Sequence, residues 1–153
     1  MEAMLQKSKT CYYTSMPVIC EKFNVDTKGH TDIIDITEKV KELTTNRCLG
    51  NACVVVCVTG STASLTTLEY ERGLLKDLPE MLEKIAPTDK VYHHDETWHD
   101  GNGYAHVRAA MIGNSVSIPL INNNLELGTW QQIVLIDFDN KARTRCINIQ
   151  IIY

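Results

Sequence analysis

Gln132-Ile133-Val134-Leu135-Ile136-Asp137-Phe138-Asp139 is the stretch on which the fold turns. Successive side chains of a strand point to opposite faces, and Ile133 to Ile136 are apolar on both parities. Such a strand needs cover on both sides, so it is expected to be central in a sheet or roofed by another subunit. It ends a longer strand-like segment, Leu125–Phe138. Around it lie the strand-like Ser115–Ile121, an Asn122-Asn123-Asn124 turn, an Asp139-Asn140 turn and the strand-like Arg143–Tyr153. Read in order, these pieces predict an antiparallel meander.

The first half adds strand-like Thr10–Thr14 and Val18–Val25, then a helix start at Asp35-Ile36-Thr37-Glu38, where an acid precedes Glu by three positions. Ile36, Val40 and Leu43 give that helix one apolar face. Asn46 to Asn51 reads as a loop, and Cys53 to Thr59 as a β-branched strand buried on both faces. Leu74, Leu75, Leu78, Met81, Leu82 and Ile85 form a helical stripe, which Pro79 is expected to break into two pieces. Ala86 to Gly103 reads as a long polar loop pinned by Tyr92 and Trp98, and Tyr104–Ile112 as a helix closed by Gly113. Strands with a few short helices and no regular βαβ alternation predict an α+β fold. It is expected as one domain over residues 1–153, with residues 1–8 as a flexible lead-in.

The 153 residues carry 15 Lys and Arg against 19 Asp and Glu, a net charge of −4, with 44% hydrophobic residues. That balance argues against nucleic-acid binding. No run approaches the ~20 apolar residues of a membrane span, and the first residues lack a signal peptide's apolar stretch. A cytoplasmic protein with reduced thiols is expected, and its six Cys are not read as a disulfide framework. Cys53 and Cys57, about 13 Å apart along a strand, cannot share a zinc that needs each sulfur near 2.3 Å, and read as buried structural thiols.

The chemistry concentrates in His93-His94-Asp95-Glu96-Thr97-Trp98-His99-Asp100-Gly101-Asn102-Gly103-Tyr104-Ala105-His106-Val107-Arg108. Gly101, Asn102 and Gly103 precede a helix, where backbone N–H groups favour phosphate. His106 and Arg108 would supply charge or proton transfer. The alternative is a glycine turn that only starts the helix, capped by Asp100 or Asn102. His94, Asp100 and His106 are candidate ligands for a divalent metal, Mg²⁺ or Zn²⁺, against the alternative of solvated loop histidines. Adjacent His93 and His94 point apart, so one at most faces a shared site. Ser61 and Thr62 offer hydroxyls to a phosphate, with Gly60 allowing close approach, although such hydroxyls also bond to nearby backbone. Lys141, Arg143 and Arg145 alternate onto one face that Ile147, Ile149 and Ile151 continue, as a pocket mouth or subunit contact would.

Taken together, Ser61-Thr62-Ala63, Glu69-Tyr70-Glu71, His94-Asp95, Asp100-Gly101-Asn102-Gly103, Ala105-His106, Gly113, Ser115, Pro119 and Gly128-Thr129-Trp130-Gln131-Gln132 resemble the YjbQ family. The resemblance implies a largely antiparallel, sandwich- or barrel-like sheet core, a homotrimer with sites near subunit boundaries and a secondary thiamine-phosphate synthase activity. That reaction is a transfer joining a pyrimidine methyl diphosphate to a thiazole phosphate. It would have Arg108 and the amides of Gly101 to Gly103 stabilise the leaving diphosphate, commonly with Mg²⁺, and His94 or His106 ligate metal or move protons. Trp130 would stack on a heteroaromatic ring or pack in the core. Tyr104 stands where many relatives carry His, which removes an imidazole from any site using that position. Two other functions stay open: a metal-dependent hydrolase or lyase of a small phosphorylated or heterocyclic molecule, and a non-catalytic ligand-binding trimer.

Overall fold

In the computed structural model, which describes residues 17–45 and 49–153, two antiparallel sheets pack face to face and short helices cover one of them. In chain order the elements are β1 (Val18–Thr27), β2 (Asp32–Asp35), α1 (Thr37–Thr45), β3 (Ala52–Val58), β4 (Ala63–Leu68) and α2 (Leu74–Ile85). They continue with α3 (His93–Trp98), α4 (Gly103–Ile112), β5 (Ser115–Ile121), β6 (Asn124–Leu125), β7 (Gln132–Asp137) and β8 (Arg143–Ile152). One sheet runs β1-β8-β3-β5-β6 and the other β2-β7-β4. The α+β class stands. The segments Thr10–Thr14 and 1–8, and part of the loop from Asn46, lie outside the described residues.

β7 is central, as its two apolar parities require. Ile133 and Leu135 point into the core between the sheets with Val54, Val56, Ile147 and Ile149. Val134, Ile136 and Phe138 point the other way, against Leu82, Tyr104, Ala105 and Ala109 of α2 and α4. The strand thus serves two apolar layers at once. Asp35 accepts from both the N–H and the hydroxyl of Thr37, which starts α1 and lets Ile36 and Val40 reach the inter-sheet core.

Several sequence expectations fail, the strand order because distant partners outcompete neighbours in sequence. The tail is no meander, because β8 inserts between β1 and β3 while β7 joins β2 and β4. Leu125–Phe138 is two strands, broken where the chain crosses from one sheet to the other through a Gly128–Gln131 turn (Gln131 N–H to Gly128 O, 2.9 Å). β3 buries Val54, Val56 and Val58 but exposes Cys53 and leaves Cys57 half-buried, since nothing in the described chain covers its outer face. α2 runs unbroken through Pro79 and buries only Leu82. The long polar loop contains α3, and although Tyr92 holds its start (hydroxyl to Pro87 O, 2.9 Å), Trp98 is 69% exposed and pins nothing.

The two sheets are also tied by charge. Arg145 of β8 lies on the buried face with Ile147, Ile149 and Ile151, and grips Asp137 of β7 through two bonds, Nε to Oδ2 at 2.7 Å and Nη2 to Oδ1 at 2.6 Å. Thr27 of β1 adds a third donor to Asp137 at 2.5 Å. Asp137→Ala would strand a buried guanidinium, and urea denaturation should show a loss of about 3–5 kcal/mol, against near neutrality for the exposed Asp26→Ala.

Candidate functional site

α3 and α4 pack side by side and bring His94 and His106 together, with ring centroids 4.1 Å apart and planes tilted by 39°. Asp95 makes the junction. Its Oδ2 accepts from the Tyr92 N–H (3.3 Å) and its Oδ1 from the Gly103 N–H (3.0 Å). A carboxylate of the chain itself therefore takes the first amide of α4, where a phosphate cradle was one of the two sequence readings. Gly103 also packs so tightly that a β-carbon there would meet Tyr92 at 2.4 Å.

His94 Nε2 is buried, has no hydrogen-bond partner among the described residues, and lies 3.7 Å from Asp100 Oδ1. Asp100 is held from two sides. Asn140 Nδ2 donates to its carbonyl at 2.7 Å, and the Asn102 amide, oriented to satisfy its neighbours, donates to Oδ1 at 3.1 Å. Burial, and then the neighbouring His94, hold the His106 pKa below the ordinary imidazole value, while Asp100, Asp139 and Asp95 oppose them. His93 points to solvent, so His94 alone of the adjacent pair faces the site. His99 is exposed too.

His106 also lines a cleft of about 510 Å³ with Gly60, Ser61, Ala63, Ala109 and Asn114, within the range of small-molecule sites. Ser61 is exposed at this cleft, whereas Thr62 is buried and its hydroxyl donates to Asp139 Oδ2 at 3.0 Å.

Two sequence candidates, Arg108 and Trp130, stand apart from the histidine pair, as does Tyr104, where many relatives carry His. Arg108 is 2% exposed, and its guanidinium is engaged by Ala86 O, Thr31 Oγ1 and Glu83 Oε2 at 2.5–3.0 Å, so it joins α4 to α2. Tyr104 is buried beneath it, 5.1 Å from Arg108 Cζ to the ring centre. Trp130 is 70% exposed and therefore not core packing. It precedes Gln132, which pairs with Leu68, while the cleft's Ala63 pairs with Asp137 at the other end of the same sheet. Five strand residues, about 17 Å, separate the two ends.

What sequence reasoning underrated is Asn140 and the acids beside it. Asp139 accepts from Arg143 Nε at 2.8 Å and from Thr62. Burial alone would raise its pKa, and these bonds hold it below the usual value instead. The Asp139-Asn140 turn was legible, but its contact with a loop forty residues away was not.

The family model for the UPF0047 protein YjbQ-like family matches residues 21–153. This chain belongs to the YjbQ family. A UPF0047 protein of Archaeoglobus fulgidus is 38% identical over 126 residues, covering 82% of this chain and 96% of its own. Another from Methanothermobacter thermautotrophicus is 32% identical over 136 residues, 89% of this chain and 93% of that one. Among solved structures, a YbjQ-like protein of unknown function from Sulfolobus solfataricus superposes with a TM-score of 0.83 at 28% identity, covering 89% of this chain and 97% of that one. A YjbQ/UPF0047 family protein of Clostridium acetobutylicum does so at 0.78 and 31%, covering 86% and 99%.

Within this YjbQ-family chain, no three of the described His, Cys, Asp and Glu side chains stand as a formed metal group. The orphaned Nε2 of His94, a second imidazole against it and a positioned carboxylate nonetheless make a donor set whose chemistry suits a divalent ion. In metal-free protein, an NMR titration should give His106 a midpoint below about 6.5, moving up in His94→Ala. The unfolded chain takes up that proton first. Stability should therefore fall as pH drops from about 6.5 toward the depressed value, and level off below it.

Proposed function

We propose that this chain is an enzyme acting on a small phosphorylated substrate, with a divalent metal held by His94, His106 and Asp100. The observation that carries the reading is the buried Nε2 of His94, without a partner among the described residues, placed against His106, which lines a cleft, and beside Asp100. A metal bound there would supply positive charge for a departing phosphate or diphosphate oxygen. The chain's own groups prepare the place. Burial keeps His106 neutral, so an imidazole nitrogen is available as a ligand or proton acceptor. Asn102 and Asn140 orient Asp100, and Ser61 brings a hydroxyl to the cleft.

The reaction to assay first is the one that the family resemblance implies, coupling a pyrimidine methyl diphosphate to a thiazole phosphate with release of pyrophosphate. Arg108 has another part in this proposal: it positions α4, and His106 with it. Purified untagged protein should carry about one divalent metal per chain, largely lost in His94→Ala. Coupling above a no-enzyme control should be lost in His106→Ala, whose melting temperature should stay near wild type. Metal-free wild type would overturn the metal, and bound metal without coupling would turn the reading toward a metal-dependent hydrolase or lyase.

The homotrimer that the resemblance implies has a candidate surface. Cys53, Val55 and Cys57 of β3, with Ser117, Gln150 and Ile152 beside them, make an uncharged central strip on the outer face of the five-stranded sheet, flanked by Lys22 of β1. A hollow of about 620 Å³ lies on it. An uncharged strip with charged residues at its border favours subunit packing. Light scattering should give the mass of three chains for wild type and a smaller species for Val55→Lys. A monomeric wild type would remove the trimer from the proposal.

A further inference from the structure

Resting on the reading of a phosphorylated substrate, we propose that Arg145, with Ser61 and the backbone amides of the 60–62 turn, forms a metal-independent subsite for the substrate's phosphate or diphosphate. The guanidinium usually sought for such a group is the one next to the histidines in sequence, Arg108, and its nitrogens are engaged inside the fold. Arg145 is different. It is 7% exposed; Nε and Nη2 bind Asp137 and Thr62, and Nη1 has no hydrogen-bond partner among the described residues.

That nitrogen lies directly behind Gly60, which lines the cleft together with Ser61 and His106. A β-carbon built on Gly60 would stand 3.1 Å from Nη1, so the glycine leaves the nitrogen covered by no side chain at that point. Its φ of +138° is also a conformation that side chains other than hydrogen resist. The amides of Gly60, Ser61 and Thr62 likewise donate to no acceptor among the described residues. Gly60 and Ser61 of this turn line the cleft of about 510 Å³, and the buried Thr62 and Arg145 adjoin them from behind.

The nearby carboxylates are already occupied. Asp137 is held by Arg145, Thr27 and the Asp139 N–H, and Asp139 by Arg143, Thr62 and the Asn140 N–H. Two acids against two arginines leave the cluster electrically balanced, and the groups without partners are donors. An oxyanion with several acceptor oxygens is the ligand they suit. Arg145 would thereby serve the fold with one edge of its guanidinium and the substrate with the other.

Full-length protein is titrated calorimetrically with inorganic pyrophosphate in buffer containing a chelator, and the metal content of the untreated preparation is measured separately. Binding near one per chain is expected, weakened about tenfold or more in Arg145→Lys and in Ser61→Asp. The second variant is at an exposed position and remains decisive where the first fails to fold. Absence of pyrophosphate binding by wild type at millimolar concentration overturns the subsite. So does wild-type affinity in Ser61→Asp or in folded Arg145→Lys. A chain that binds pyrophosphate but purifies without metal fails the metal reading alone, and one that holds metal yet binds pyrophosphate only without chelator fails the subsite alone.

Discussion

The Arg145–Asp137 ion pair joins the two sheets across their buried interface, and much of the molecule is arranged around it. Each partner comes from the middle of the chain's strand-rich tail, β8 for the arginine and β7 for the acid, yet the two strands belong to different sheets. Removing two charges from water is costly, and the bidentate geometry with Thr27 and the Asp139 N–H offsets that cost by satisfying both carboxylate oxygens. The pair also fixes register. β7 must place Asp137 at the end that pairs with Ala63, and β8 must turn Arg145 to the same side as Ile147.

From that anchor a line of polar contacts runs to the histidines. Asp137 receives the Asp139 N–H, Asp139 holds Thr62 and Arg143, and Asn140 reaches across to the carbonyl of Asp100. The loop carrying Asp100 is thus steadied by the same turn that ends β7. On its other side Asp95 binds the first amide of α4, so the short α3 keeps His94 against His106. A six-residue helix has little stability of its own and depends on such packing.

Arg108 and Arg145 show how far local pattern can mislead about charge. Arg108 is two positions from His106, which on a helix turns it about 200° away and into the fold. There it meets Ala86 and Glu83, and the Glu83 carboxyl is held below its usual pKa first by the Thr88 N–H and further by Arg108. Arg145 is far from both histidines in sequence and lies behind the cleft wall that His106 shares.

What the chain determined locally was considerable. The double parity of Ile133 to Ile136 required a strand covered on both sides, the alternation of Arg145 with Ile147, Ile149 and Ile151 put them on one face, and Tyr104–Ile112 with Gly113 marked α4 to within a residue. The motif residues sufficed to assign the family. Side-chain periodicity carries all of this, because it depends only on backbone geometry over a few residues. Strand order, the outer face of β3, the helix inside the polar loop and the fates of Arg108, Arg145 and Trp130 were decided only by tertiary structure. Each of those depends on which distant segment arrives as the partner, and that choice is made by burial and charge pairing summed over the whole chain, which no local spacing records.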